Sequence, residues 1–303
     1  MKTYLDCIPC FVRQTLESVR AVTTDQRVHE EVLRRVLTDA AEMGFATSPP
    51  AMAQRIHRSI RELTGNADPY ADRKRQMNDL AVKLRERLRQ RVSESADPLE
   101  AALRLAIAGN MMDLGAKSNL DDVHVTSTIL ACFDEPFDAD VPALRRDIAQ
   151  ARSILYLADN AGEIVLDRLL VEQLPRDRTV VAVRGGPVIN DATRADAVAA
   201  GLTALVEVID NGSDAPGTIL ADCSEDFRRR FEQADLIISK GQGNYETLSE
   251  SPNPITFLLR VKCPVIARDL GRPTGSMVMH RSQRDISVGG ECERDAADEA
   301  RAR

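Results

Sequence analysis

The chain has 303 residues, of which 43% are hydrophobic and 29% charged, a composition typical of a globular protein with one large or two smaller domains. A net charge of -7 and the absence of tryptophan argue against a nucleic-acid surface, which needs cations for phosphates and aromatic rings for bases. Because the chain has neither a long apolar run nor a charged leader with an apolar core, we expect no membrane contact and a cytoplasmic location.

Helical periodicity fills the N-terminal third of the chain. Met52, Ile56 and Ile60 share one predicted helix face, and a long basic helix is predicted from Lys74 to about Val92. Because no strand pattern interrupts these segments, residues 1–97 are predicted to form an N-terminal all-helical domain.

A Cys-x-x-Cys motif opens the first predicted helix with Cys7 and Cys10. Such a pair can lower a thiol pKa or supply two soft metal ligands. No second Cys-x-x-Cys follows to complete a zinc site, and no strand precedes the motif as in thioredoxin-like proteins. Packing, lining a site and redox chemistry all stay open as roles for these thiols, which we expect to be reduced.

Short β-branched runs alternate with helical segments in the rest of the chain. Strands are predicted at 154–158, 179–183, 205–209, 235–239 and 255–261, with a further buried strand over 262–267. This alternation is the signature of βαβ units, so an α/β domain with a mostly parallel sheet is predicted for residues 98–280. The polar residues 281–303 are predicted to be a disordered tail.

Oxygen-bearing side chains follow the first two strands of this predicted sheet. Asp159 and Asn160 end the first strand, and Asp191 lies beyond the second. Ligands bind at the carboxyl ends of parallel strands, and this edge would present hard oxygen donors suited to a divalent cation. The alternative for the first pair is that Asn160 caps the following helix while Asp159 favours its positive end.

Two lysines are predicted near other strand ends. Lys240 is followed by Gly241 and Gly243, so that a cation and exposed N–H groups could meet a phosphate, although the order of residues is not that of a Walker loop. Lys262 opens the segment 262–267, in which a buried strand is predicted to follow it, so we expect a buried lysine with a partner.

Three motifs together identify a resemblance: Ala158–Glu163, Pro187–Thr193 and Lys240–Glu246. In this order and spacing they resemble the damage-control phosphatase family, also catalogued as domain of unknown function eighty-nine. The Cys7-x-x-Cys10 motif and Gly109–Asn110 are similar to its prokaryotic branch. The resemblance extends from the start of the chain to about residue 278 and implies a Rossmann-like three-layer α/β/α fold beside the helical domain.

In that family a divalent ion serves hydrolysis of a phosphomonoester, and two carboxylates with one amide oxygen favour Mn, Co, Ni or Mg. The resemblance implies that the ion is held by Asp159, Asn160 and Asp191. Substrate-binding positions are implied at Gln242, Gly243, Asn244, Tyr245 and Asn110. Catalytic roles are implied for Asp159, Asn160, Lys240 and Lys262, although Arg260–Val261–Lys262 is one residue shorter than the Arg-Thr-x-Lys motif of some branches.

The resulting hypothesis is a metal-dependent phosphatase acting on a small phosphorylated metabolite, such as a sugar phosphate or a damaged cofactor intermediate. A nucleotide- or S-adenosylmethionine-dependent transferase on a similar sheet is one alternative, but its glycine-rich first turn is missing. A thiol or metal-binding protein that uses Cys7 and Cys10 is another. The sequence does not specify the substrate or the oligomeric state.

Overall fold

The structure, a computed structural model, describes residues 1–109 and 122–282. The candidate substrate-binding residue Asn110 and residues 283–303 of the predicted tail lie outside the described residues. Within the described ranges, no helix has the length and apolar character needed to cross a bilayer.

Four helices form the N-terminal part of the chain. They are α1 (Cys7–Val22), α2 (Gln26–Glu42), α3 (Pro49–Thr64) and α4 (Ala71–Ser93). Proline at the first positions of α3 starts that helix without losing a hydrogen bond, and Gly65 ends it in the left-handed conformation at φ 65°. Helices α1 to α3 share a core of their own, whose centre includes Val19, Val36 and Ile56.

Seven strands and eight further helices build the remainder of the described chain. The strands are β1 (Phe137–Asp138), β2 (Ile154–Leu157), β3 (Thr179–Val183), β4 (Glu207–Asp210), β5 (Leu236–Lys240), β6 (Ile255–Arg260) and β7 (Met277–Arg281). The helices are α5 (Pro98–Ala108), α6 (Asp122–Ala131), α7 (Val141–Gln150), α8 (Glu163–Val171), α9 (Arg194–Ala199), α10 (Glu225–Gln233), α11 (Gln242–Leu248) and α12 (Pro264–Leu270).

The strands form one sheet in the order β1-β7-β6-β5-β2-β3-β4, in which every pairing is parallel except β6 with β7. Alternate residues of β2 enter two different cores: Ile154 and Tyr156 face one, while Leu155 and Leu157 face the other. Both faces are therefore buried, as a parallel sheet requires. The predicted mostly parallel α/β fold is confirmed.

The long helix α4 packs on the sheet-side core rather than on the N-terminal helices. Leu80, Leu88 and Val92 belong to the same apolar cluster as Tyr156 of β2. The division of the chain at residue 97 stays a prediction, because only α1 to α3 have a separate core among the described helices.

Two parts of the predicted strand pattern are wrong. Residues 264–270 form helix α12 instead of a strand, because Pro264 occupies its first turn, where a missing N–H costs nothing. Strand β7 was not predicted, and it pairs antiparallel with β6 up to Arg281, inside the predicted tail.

The sheet order creates a crevice above β2 and β5. From β2 the chain moves to β3 on one side, and it later returns to β5 on the other side. At such a reversal the loops after the two central strands separate, which leaves a ligand site at their carboxyl ends. The residues after β2, β3 and β5 therefore share one edge.

Candidate active site

The turns after β2 and β3 run beside each other and bring the predicted metal ligands together. The Ala192 N–H donates to the Asp159 carbonyl at 2.8 Å, and the Ala161 N–H donates to the Asn190 carbonyl at 2.8 Å. Between these bonds, Asn160 and Asp191 form an antiparallel bridge. The structure thus places Asp159, Asn160 and Asp191 in one buried group.

The carboxamide of Asn160 is oriented by two carboxylates. Its Nδ2 donates to Asp159 Oδ2 at 2.8 Å and to Glu163 Oε2 at 2.9 Å. Helix α8 is capped instead at Gly162, without any side-chain cap hydrogen bond, so the alternative of a capping side chain is wrong. With its nitrogen directed at the carboxylates, the amide has its oxygen as the atom suited to a metal.

Burial and neighbouring negative charge both disfavour ionisation of Asp159. Burial raises its pKa well above the usual value, and the carboxylates of Glu163 and Asp191 raise it further, while Arg184 and Lys262 act in the opposite direction. Removing charged carboxylates from water raises the free energy of the folded protein unless a cation compensates their charge. A divalent ion would supply that compensation.

The donor set fits a hard divalent cation. Among the described residues no three His, Cys, Asp or Glu side chains converge as a metal site, so a site here needs the Asn160 amide as well as Asp159 and Asp191. Two carboxylates and one amide oxygen are the ligands preferred by Mg²⁺ and Mn²⁺, and they leave positions for water or a phosphoryl oxygen.

Arg184, the residue after β3, is a site residue that sequence reasoning missed. It is 2% exposed, and its Nε donates to Asp191 Oδ2 at 2.7 Å. Its Nη2 lies 3.6 Å from Asp159 Oδ1. Its position directly after a strand at the functional edge was the available signal, but the reach of a long side chain is not readable from sequence.

Lys240 points into the protein interior, although we expected it to face the crevice. Its side chain is fully buried, and its ammonium group donates to Glu163 Oε1 at 2.5 Å, Asp167 Oδ1 at 2.7 Å and the Ala106 carbonyl at 2.7 Å. The three ammonium hydrogens are thereby used inside the protein. The ammonium group of Lys240 is therefore directed into the protein interior and has no hydrogen left to donate to a phosphate.

The ionisation of this buried cluster follows from its pairing. Burial alone would lower the pKa of Lys240, but the carboxylates of Asp167 and Glu163 raise it above its ordinary value. Burial raises the pKa of Asp167 to about 7, although Lys240 opposes that shift. Glu163 and Asp167, one turn apart on α8, were not predicted as partners of Lys240.

Gly241 allows the turn after β5 to approach the metal-ligand group. Its φ is 79°, and a Cβ atom built there would lie 1.9 Å from Asp159 Oδ2. Gly243 is similarly close to a neighbouring turn, since its Cβ would lie 2.2 Å from the Pro216 carbonyl oxygen. Gly241 thus allows the Lys-Gly-Gln-Gly-Asn segment to lie against Asp159, and Gly243 allows it to lie against Pro216.

The side chains of Asn244 and Tyr245 hold structure together rather than face a ligand. Asn244 Nδ2 donates to the Lys240 carbonyl at 2.7 Å, and its Oδ1 accepts from Thr218 Oγ1 at 2.8 Å. The Tyr245 hydroxyl donates to Asp269 at 2.6 Å, and its ring packs in the apolar core on one face of the sheet. The polar groups of both side chains thus have partners inside the protein, and their substrate-binding roles stay a prediction.

Gln242 and Lys262 lie at the rim of the same region. Gln242 Nε2 donates to Glu246 Oε1 at 2.8 Å, while its Oε1 accepts the Lys262 N–H at 3.1 Å. The Lys262 side chain is exposed, so the expectation of a buried lysine is wrong. Its lowering effect on the pKa of Asp159 nevertheless shows that its charge acts on the site.

The loop that carries Asp191 is anchored by an arginine of α3 and contains a strained residue. Arg61 of α3 donates through Nη1 to the Pro187 carbonyl at 2.8 Å. Ile189, two residues before Asp191, has φ 42°, a conformation that is strained for a β-branched residue. This strain sits next to a candidate ligand, where the surrounding hydrogen bonds maintain it.

The Cys-x-x-Cys motif occupies the start of α1. Cys7 is half-buried and packs against residues of both the N-terminal core and a sheet core, whereas Cys10 is exposed. Burial raises the pKa of the Cys7 thiol, so an activated thiolate is not favoured there. The five cysteines in the described residues are free.

The comparisons with known proteins agree on one family. The model of the damage-control phosphatase ARMT1-like domain matches residues 3–278. A damage-control phosphatase of Pyrococcus horikoshii is 32% identical over 93% of this chain and 99% of its own length. An uncharacterized protein of Methanocaldococcus jannaschii is 34% identical over 90% of this chain and 93% of its own.

A solved structure gives the same result for the fold. The crystal structure of a DUF89 family protein from Pyrococcus horikoshii superimposes with a TM-score of 0.85 at 31% identity, and covers 93% of this chain and 100% of that one. The family match spans far more than half of the sequence. The chain therefore belongs to the damage-control phosphatase family with an ARMT1-like (DUF89) domain.

Proposed function

We propose that this protein is a divalent-metal-dependent phosphatase that hydrolyses the phosphomonoester of a small metabolite. The observation that carries the proposal is the convergence of Asp159, Asn160 and Asp191 at the carboxyl edge of the sheet. The names of the relatives from Pyrococcus horikoshii and Archaeoglobus fulgidus, both damage-control phosphatases, support the reaction class.

Each residue of the group has a defined task in this proposal. Asp159, Asp191 and the Asn160 amide oxygen would hold Mn, Co, Ni or Mg, which when bound supplies Lewis-acid chemistry to a phosphoryl oxygen. Glu163 orients Asn160 through the bond at 2.9 Å, and Lys240 in turn fixes Glu163. Lys240 is thus a positioning residue rather than a phosphate ligand.

The substrate would enter from the rim formed after β5 and β6. Lys262 is the exposed cation there, and it can approach a phosphate without breaking the internal pairing of Lys240. Gln242, Gly243 and Asn110 remain proposed substrate-binding positions.

Hydrolysis of a generic aryl phosphate tests the proposal. Wild-type protein should release phosphate when Mn²⁺ or Co²⁺ is added and lose that activity with a chelator. Asp159→Asn and Asp191→Asn should abolish turnover in folded protein. Asp177→Asn, an exposed aspartate before β3, is the matched control and should keep it.

Two results would count against a metal-dependent phosphatase. One is turnover that survives chelation, and the other is full activity in both ligand variants. Loss of activity on alkylation of Cys7 or Cys10, with indifference to chelators, would favour thiol chemistry instead. Once metal dependence is established, a screen of phosphorylated metabolites identifies the substrate class.

A further inference from the structure

Arg184 is a buried cation among the candidate metal ligands. Its Nε–H donates to Asp191 Oδ2 at 2.7 Å, and both side chains are less than 5% exposed. Its Nη2 is buried without a hydrogen-bond partner and lies 3.6 Å from Asp159 Oδ1. The guanidinium therefore touches one candidate ligand and faces another.

The guanidinium is fixed by groups outside the ligand set. Its Nη1 donates to Asn244 Oδ1 at 3.1 Å and contacts Thr218 Oγ1 at 3.4 Å. The backbone of Arg184 is held separately, since its main-chain N–H donates to the Ala192 carbonyl at 2.9 Å. The planar guanidinium cannot turn away from Asp191 without breaking the two Nη1 contacts.

This arrangement limits how Asp191 can bind a cation. A carboxylate oxygen that accepts a short charge-assisted hydrogen bond is a poorer metal ligand, so two-oxygen chelation by Asp191 is disfavoured. Calcium takes about six to eight oxygens and often a chelating carboxylate, whereas Mg²⁺ requires a near-ideal octahedron of single oxygens. The coordination mode of one aspartate thus bears on the choice of ion.

We propose that Arg184 restricts Asp191 to one-oxygen contact and so makes the site select a small octahedral ion over calcium. Arg184 acts through Asp191 and is a positioning residue. The inference rests on the proposed metal site at Asp159, Asn160 and Asp191, and it adds a determinant of ion selectivity to it.

The test measures binding of the metal alone, without substrate. Dissociation constants for Mn²⁺ and Ca²⁺ are determined by calorimetry on wild type, Arg184→Met and Arg184→Lys. Both ions carry the same charge, so the loss of a nearby cation changes both affinities alike and cancels in their ratio. Arg168→Met removes a part-buried arginine paired with Glu172 at 3.0 Å and is the matched control.

Wild type should bind Mn²⁺ more tightly than Ca²⁺. In Arg184→Met this preference should fall by about tenfold or more, within the range seen when partners of metal ligands are removed. Arg184→Lys should keep part of the preference for Mn²⁺ over Ca²⁺, since an ammonium group can still donate a hydrogen bond to Asp191 Oδ2. Arg168→Met should keep the wild-type ratio.

The outcomes separate this inference from the proposed function. A wild-type protein that binds neither ion overturns both. Wild-type binding of Mn²⁺ with an unchanged ion ratio in Arg184→Met overturns the role of Arg184 alone. If that variant does not fold, a crystal structure of the Mn²⁺-loaded wild type decides: one-oxygen contact by Asp191 supports the inference, and chelation by both oxygens overturns it.

Discussion

Replacement of Lys240 by methionine separates a structural role of this lysine from a catalytic one. The ammonium group lies 2.5 Å from Glu163 Oε1 and 2.7 Å from Asp167 Oδ1, and all three side chains are buried. Removing one partner of a buried ion pair costs about 3–5 kcal/mol, because the remaining charge is left uncompensated. Lys240→Met should lower the free energy of unfolding by about that amount.

The loss should depend on pH. Burial already raises the pKa of Asp167 to about 7, and without Lys240 it rises further in the folded protein, so the unfolded chain gives up this proton first as pH increases. The variant is therefore most stable at low pH and loses stability as pH rises through the carboxyl range. Urea unfolding followed by circular dichroism between pH 5 and 8 measures this slope.

Two further variants complete the experiment. Lys240→Met combined with Glu163→Gln and Asp167→Asn leaves no unpaired charge and should regain much of the lost stability. Lys262→Met, at an exposed position, should change the free energy of unfolding by less than about 0.5 kcal/mol. Wild-type stability in Lys240→Met together with lost turnover would refute the reasoning and return Lys240 to direct substrate contact.

Three other predictions concern the same edge of the sheet. Gly241→Ala should abolish Mn²⁺ binding, since its Cβ would lie 1.9 Å from Asp159 Oδ2, whereas Gly271→Ala, at φ 63° with open space around it, should keep binding and isolate the backbone strain. Ile189→Gly should change the free energy of unfolding by less than about 1 kcal/mol, because relief of the strain at φ 42° offsets the greater entropy of the unfolded chain. The same variant should bind Mn²⁺ more weakly, and an unchanged affinity would show that this backbone conformation does not contribute to metal binding. Burial raises the pKa of Glu246 to about 7, so the free energy of unfolding of the wild type should fall as pH rises from about 4.5 to 7. Glu246→Gln should flatten that slope in urea titrations, and an equal slope in the variant would contradict this assignment.

The sequence predicted the functional edge because local patterns determine it. Apolar runs locate β2 and β3, and polar residues that follow adjacent parallel strands must meet at one edge. The sequence alone therefore places Asp159, Asn160 and Asp191 at one edge of the sheet. The mostly parallel sheet and the helical start of the chain are predictable for the same reason.

Side-chain direction was harder to predict because it depends on tertiary partners. Lys240 lies two residues beyond Ile238 in β5, so both side chains lie on the same face of the sheet. Lys240 therefore points into the core beside α8, where its ammonium group donates to Glu163 and Asp167. Tyr245 follows Asn244 on α11, and the helical rotation between the two residues directs its ring into the other sheet core, which contains Leu155 and Leu157. A motif gives positions along the chain, whereas these contacts depend on which helices cover the sheet.

The wrong strand at residues 262–267 has a simpler cause. Its apolar residues Val265 and Ile266 are buried in the helix, as they would be expected to be in a strand, so a short apolar run alone does not distinguish the two. Pro264 decides the matter because it fits the first turn of a helix and cannot donate to a strand ladder.

Direct binding of Mn²⁺, followed by electron paramagnetic resonance of the free ion, tests the central claim. Wild-type protein should bind a single ion per chain, Asp159→Asn and Asp191→Asn should each lose it, and Asp177→Asn should bind as wild type does. Absence of binding by the wild type, or undiminished binding by both ligand variants, would contradict a metal centre at this edge of the sheet.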